Sequence, residues 1–241
     1  MRPGFAVAAL AVARNELRIW FLAGSGWVFL TSFLFLAGLF FTVALGATGE
    51  ASLRASLPNL AVTLVFTLPL VTMRQLAEEA RSGTWELLAT APIPLPALLL
   101  GKWAAAVGLC AMLLAATAPF PIVLAVWGDP DPGVLAVSYL GLFLCCATFS
   151  AAGLFASSLT RDPMVAGVLG VVILLPSWLA SAARDRAPAG AAAFLDRISF
   201  VEHLRSFAVG VVDTGDLAWF AGATAVFLVA TWSSVESRRG R

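Results

Sequence analysis

Few side chains in this sequence could do chemistry, and their positions narrow what that chemistry is. The one histidine, His203, sits in a stretch where Ile198, Val201, Leu204, Phe207, Ala208 and Val211 recur at helical spacing. Asp196, Arg197, Glu202 and Arg205 fill much of the remainder. His203 therefore reads as an exposed polar-face residue, with a ligand or a base as the other reading. Cys110, Cys145 and Cys146 lie inside apolar runs and lack metal-ligand spacing. They read as small buried apolar side chains. Gly101-Lys102 is no phosphate-binding loop, because Pro96 stands where the partner glycine belongs and Trp103 follows. Gly24-Ser25-Gly26 lacks the spacing of a hydrolase elbow. What remains is an acidic cluster, Glu78, Glu79 and Glu86, with Arg81 among them.

The elements that hold these residues follow from composition. Of 241 residues, 60% are hydrophobic and 12% charged, about half the charged share of a soluble domain. The mean hydropathy is +0.92. A net charge of +1 without a basic face excludes nucleic acid as a partner. Crossing a bilayer takes about 20 mostly apolar residues. Uncharged runs that approach or exceed this occupy 19–49, 55–73, 103–128, 132–160, 163–183 and 217–235. The expected fold is an all-α integral membrane domain spanning 1–241, with helices at about 20–45, 59–77, 98–127, 134–159, 163–183 and 216–234. Six spans put both termini on one side. With the N-terminus inside, ten Arg and Lys fall in cytoplasmic segments and five outside, which favours cytoplasmic termini in a multi-pass protein of the inner, cytoplasmic membrane.

Three segments outside the spans carry further expectations. Met1-Arg2 ahead of Phe5–Ala13 imitates a secretory signal, but cleavage after Ala13 would release fewer residues than the roughly 15–30 of such signals. Residues 4–18 are instead expected as an amphipathic helix along the membrane surface, with Arg14, Asn15, Glu16 and Arg18 near its polar end. The connection 74–97 reads as a helix with an Arg74–Glu78 pair, a break at Gly83, and a short helix over 85–88 capped by Thr84. Pro92, Pro94 and Pro96 then force a rigid return into the next span. The connection 184–215 reads as an amphipathic helix over 195–212, resting on the outer leaflet or capping the spans. No charge falls at mid-depth in any span, and Lys102 is expected to snorkel from a helix end. A transporter built this way takes its energy from a partner. Pairs such as Gly38 with Thr42, Ala104 with Gly108 and Gly153 with Ser157 allow close helix approach, weak evidence for a packed dimer.

The stretch Leu76-Ala77-Glu78-Glu79-Ala80-Arg81-Ser82-Gly83-Thr84-Trp85-Glu86-Leu87-Leu88-Ala89-Thr90-Ala91-Pro92, followed by Gly101-Lys102, resembles the signature of ABC-2 type transporter permeases. Ile198–His203, Phe207–Asp213 and Glu236–Arg239 resemble that family's loop before the last span and its C-terminal end. The resemblance covers essentially the whole chain and is strongest to the gliding-motility-type permeases. Trp85 departs from it, where an aliphatic residue is expected.

The resemblance implies a non-enzymatic exporter subunit that dimerises, as a homo- or heterodimer, on two cytoplasmic ATPase subunits. ATP and Mg would be bound by those partners, and this chain would hold no cofactor and no metal. Residues 74–97 would be the coupling segment and 4–18 the elbow helix beside it. Contacts to the ATPase would come from Glu78, Glu79, Arg81, Gly83, Thr84, Trp85, Glu86, Leu87 and Pro92, and in second rank from Arg14, Lys102, Arg161 and Asp162. A solvated acidic face is the other reading of the three glutamates, and a topogenic charge the other reading of Arg161. Membrane lipid and an extracytoplasmic auxiliary protein complete the implied partners. A haem-exporter-type permease of cytochrome c maturation and a membrane scaffold or assembly factor are the alternative functions. An intramembrane enzyme would need paired catalytic groups at depth, and the sequence has none.

Overall fold

A computed structural model describes residues 4–22, 24–48, 57–84, 94–127, 131–184 and 186–239. Every regular element among them is an α-helix. In chain order these are α1 (Phe5–Leu22), α2 (Ser25–Thr48), α3 (Leu57–Thr72), α4 (Arg74–Ser82), α5 (Leu95–Ala116), α6 (Pro119–Trp127), α7 (Pro132–Leu159), α8 (Pro163–Arg184), α9 (Ala189–Ile198), α10 (Phe200–Ala208) and α11 (Thr214–Arg239). Six stretches are long and apolar enough to cross a membrane: α2, α3 with α4, α5 with α6, α7, α8 and α11.

Apolar burial sets the layout. The α3–α4 stretch is 67% buried and α7 is 50% buried, against 22% for α2 and α11, so α3 and α7 form the centre. Leu64, Leu68, Leu113 and Phe149 pack there, with Phe200, Phe207 and Phe220 closing the core from one end. The peripheral spans turn large apolar side chains outward, such as Trp27 and Phe35 on α2, Val168 and Val172 on α8, and Val226 and Val229 on α11. In water such a surface would aggregate; against hydrocarbon it has nothing to lose.

Proline placement explains one departure from straight spans and lies close to another. Pro69 sits inside α3 and removes the helical hydrogen bond to the carbonyl one turn before it, whereas the break at Met73, after which α4 continues, lies one turn beyond it. The third span also breaks, at Thr117–Ala118, because Pro119 and Pro121 lack amide donors and disfavour helix in the residues before them. The Thr117 carbonyl, which Pro121 cannot reach with an amide, accepts from the Phe120 amide at 2.9 Å and from Tyr139 of α7 at 3.1 Å. At the start of α5, Pro96 occupies the first turn, as its spacing predicts.

Two amphipathic expectations change. Residues 195–212 are not one helix on a leaflet surface: α9 ends at Ile198, Ser199 is extended, and α10 begins at Phe200. Ser177 of α8 bridges the break, donating to the Ile198 carbonyl at 2.6 Å and accepting from the Phe200 amide at 3.1 Å. Phe200 and Phe207 are fully buried, so α10 caps the bundle from within. The helix near the N-terminus runs to Leu22 and docks along α5. Ala9 and Val12 meet Gly101, and Leu17 meets Gly108, in the same order along both helices. A Cβ on Gly101 would sit 2.7 Å from the Ala9 carbonyl oxygen, so only glycine admits this approach.

The small-residue pairs serve the chain itself. Gly153 and Ser157 face the α3–α4 junction, Gly108 faces α1, and Gly38 faces Phe120. One end of the bundle thus carries α4, the start of α5 and the ends of α7 and α11; the other carries α9 and α10.

Candidate functional site

The acidic cluster sits on α4, a helix continuing the second span past the break at Met73. Breaking a helix strands amide donors on its far side and a carbonyl on its near side. Ser157, fully buried on α7, satisfies both. Its hydroxyl oxygen accepts from the amides of Leu76 at 3.1 Å and Ala77 at 3.0 Å, and its proton goes to the Met73 carbonyl at 2.8 Å. Gln75, Leu76 and Ala77 form the buried face of α4. Gln75 donates through Nε2 to the Lys102 carbonyl at 2.9 Å. At the far end Gly83 takes the left-handed conformation, with φ of 75°, which ends the helix as expected for this glycine. Ser82 and Thr84 hydroxyls meet there at 2.9 Å.

Lys102 corrects the expectation that it snorkels. Its side chain does not run to the surface: it is 1% exposed, and its Nζ lies 2.5 Å from Glu16 and 2.6 Å from Glu79. A buried ammonium needs such partners, since desolvation would otherwise cost several kcal/mol or so. The ion triad ties α1, α4 and α5 together at one point. It also holds two carboxylates against one cation. Glu79 Oε2 and Gln75 Oε1 are buried with no hydrogen-bond partner among the described residues.

The remaining residues of the cluster divide by exposure. Glu78 and Arg81 are exposed on α4 and Gly83 and Thr84 just beyond its end, whereas Glu79 turns inward to Lys102. Arg74 and Glu78 do not form the ion pair expected from their spacing. Trp85, Glu86, Leu87 and Pro92 lie outside the described residues, as does the short helix expected over 85–88. Arg14 is exposed on α1, and Arg161 and Asp162 are exposed in the turn between α7 and α8. Asp162 has a local role as well: its carboxylate accepts from the Met164 amide at 2.8 Å and caps α8. Gln75 was not singled out by sequence reasoning, which placed Glu16 only at the polar end of the first helix and Ser157 only as a small residue for close packing. The lone lysine was read only as able to snorkel, although a lysine that does not reach water needs an anion beside it.

A cleft of about 610 Å³ opens beside the triad, between α1, α2 and the α3–α4 junction. Arg74, Arg81 and Glu78 line it on the α4 side, Ile19 and Phe29 on the other, with Gln75, Glu79 and Lys102 at its wall.

The opposite end holds a second polar knot, which revises the reading of His203. It is not a free polar-face residue: its Nδ1 lies 2.7 Å from Asp216 and its ring stacks on Trp219 at 4.5 Å. Ser206 donates to the other Asp216 oxygen. Trp219 donates to the Arg197 carbonyl at 2.7 Å. Arg184 reaches Asp196 at 2.9 Å and Glu202 at 3.2 Å. These bonds fasten α9 and α10 to α8 and α11. The three cysteines are free thiols, all buried. No group of acidic, His or Cys side chains among the described residues could hold a metal ion.

Six candidate spans around an α3–α7 centre, with a helical arm anchored at one end, make up a multi-pass membrane protein. Residues 49–184, more than half of the chain, match the family model described as ABC-2 family transporter protein, and the chain belongs to that family. It is an ABC-2 transporter permease domain, a class that generally works with an ATPase partner. The matched stretch contains α3 through α8, and so holds Lys102, Glu79 and Ser157. No curated protein matches the chain.

Proposed function

We propose that this chain is the membrane subunit of an ABC exporter, of the gliding-motility type, driven by ATPase subunits on separate polypeptides. The supporting observation is the mounting of α4. Its inner face is fixed to α7 through Ser157 and to α1 and α5 through Lys102, while Glu78, Arg81 and Thr84 face outward. A helix held at several points on one face moves as part of a rigid body, which suits a lever between a soluble motor and a membrane path. Residues 74–97 are then the coupling segment and α1 the elbow helix that moves with it.

In this reading the arm and both termini are cytoplasmic, as the Arg and Lys distribution favours. Two copies, or this chain and a related one, stand side by side on two ATPases. Closure of the ATPase dimer on ATP pushes the arms and opens a path between the permeases. Glu78, Arg81, Gly83, Thr84, Trp85, Glu86, Leu87 and Pro92 contact the ATPase, and Arg14, Arg161 and Asp162 form the second rank. Glu79 and Lys102 act one step back, transmitting the push to α1 and α5.

The test is co-purification in detergent with the candidate ATPase, with ATPase activity measured in liposomes. Glu86→Arg should leave insertion intact and abolish stimulation of the ATPase. Normal stimulation by that variant removes the coupling assignment. Failure of the wild-type chain to associate with any ATPase returns the scaffold reading.

A further inference from the structure

The cleft beside the ion triad offers more than a lever needs. At its wall, Glu79 and Gln75 each present a buried oxygen that accepts no hydrogen bond among the described residues, and Gln75 is only 4% exposed. Buried acceptors of this kind are destabilising unless a donor reaches them. Glu16 and Glu79 also share the one Lys102, so neither carboxylate has a cation of its own in the triad. Both observations call for a ligand that is cationic and carries N–H donors.

The rim asks for the opposite charge. Arg74 and Arg81 line the same cleft with Glu78 between them in sequence; all three are exposed, and the two arginines form no ion pair among the described residues. Unpaired guanidiniums at a membrane-facing site recognise phosphate oxygens. The third wall is apolar: Ile19, Phe29 and Leu70 line it, and Ile19 and Leu70 are 52% and 42% exposed toward the bundle's outer face. The cleft's volume of about 610 Å³ falls within the roughly 300–1,000 Å³ of small-molecule sites. Acceptors at the wall, guanidiniums at the rim and an apolar flank together match one chemical class.

We propose that this cleft binds the headgroup of an aminophospholipid from the adjacent leaflet, its primary ammonium donating to Glu79 and Gln75 and its phosphate held by Arg74 and Arg81. One acyl chain lies along Ile19, Phe29 and Leu70. The ammonium gives the carboxylate pair a second cation and each of the two orphaned oxygens a donor. A choline headgroup carries the same charge but no N–H, so it cannot satisfy either oxygen. An anionic glycerol headgroup has the phosphate but not the charge. The site joins α1, α2 and α4, so an occupied cleft stiffens the connection between the elbow and the arm. This inference goes beyond the exporter reading and is tested on the permease alone, without an ATPase.

The experiment is native mass spectrometry of the delipidated chain, titrated with four lipids of identical acyl chains: phosphatidylethanolamine, its N-monomethyl and N,N-dimethyl derivatives, and phosphatidylcholine. The N-monomethyl lipid, which keeps two N–H groups for the two oxygens, should bind about as well as phosphatidylethanolamine, and affinity should then fall by about tenfold or more to phosphatidylcholine, as expected for losing charge-assisted hydrogen bonds. Arg74→Ala/Arg81→Ala, which leaves the triad untouched, should weaken all four lipids alike. Glu79→Gln should flatten the series. Equal affinity for ethanolamine and choline lipids in the wild type overturns the proposal, whatever the variants do. So does tighter binding of phosphatidylglycerol than of phosphatidylethanolamine, which would make the cleft a general anion site.

Discussion

Replacing Lys102 with Met keeps the length and most of the apolar stem while deleting the charge. The ammonium sits 2.5 Å from a Glu16 oxygen and 2.6 Å from a Glu79 oxygen, which places the two carboxylates within about 5 Å of each other. With the lysine gone, their repulsion at an effective dielectric of about 20 is about 3 kcal/mol. Breaking a buried ion pair on one side costs about 3–5 kcal/mol in other proteins, consistent with that figure. At about 2–4 °C per kcal/mol for a chain of this size, Lys102→Met should lower Tm by about 6–20 °C. Thermal unfolding in detergent, followed by tryptophan fluorescence, is the assay. The decisive comparison is the triple variant Lys102→Met/Glu16→Gln/Glu79→Gln. Neutralising all three groups removes the repulsion, and uncharged replacements of buried ionic clusters are often neutral or stabilising. The triple variant should therefore recover most of the loss. A single variant within 1 °C or so of wild type, or a triple variant as unstable as the single one, would refute the electrostatic account and leave packing as the cause.

Two further substitutions probe how the arm is mounted. Ser157→Ala orphans the Leu76 and Ala77 amides and the Met73 carbonyl, at about 1–3 kcal/mol for each group left buried without a partner. Hydrogen exchange should accelerate in residues 74–82 and stay unchanged in α8; unchanged protection of α4 would show that Ser157 does not hold it. Gly101→Val drives a side chain into Ala9 and Val12, so α1 should detach and become accessible to limited proteolysis while α3 through α8 remain folded. If α1 stays protected, its docking on α5 does not depend on that close approach.

The spans were legible because each is decided locally. A run of about 20 apolar residues can satisfy its backbone in hydrocarbon only as a helix, and this holds before any neighbour is known. The breaks at Gly83 and before Pro96 were legible for the same reason, being properties of single residues. Pro119 and Pro121 carried the same signal for the break at Thr117, but inside a long apolar run it yielded to span length; the break at Met73 is held by Ser157 on another helix and has no such local mark. The amphipathic stretch 195–212 was seen as helical with a buried face. Its division at Ser199 escaped notice, because that break is stabilised by Ser177 on another helix.

The charged residues show where sequence alone ends. Glu79 and Lys102 are 23 positions apart, and Lys102 and Glu16 are 86 apart. Nothing in the local pattern of any of them names the other two. The sequence by itself determined that Lys102, alone in an apolar helix, must either reach water or find an anion. Snorkelling and pairing both meet that demand, and the choice depends on whether another helix approaches. Gly101 lets α1 come close enough to bring Glu16, and the docking of α4 against α5 and α7 sets Glu79 beside Lys102. Hydrophobicity and helix-breaking residues act over one or two turns, so they can be read from the chain. Ion pairing acts across space, so it is decided only when the helices have packed.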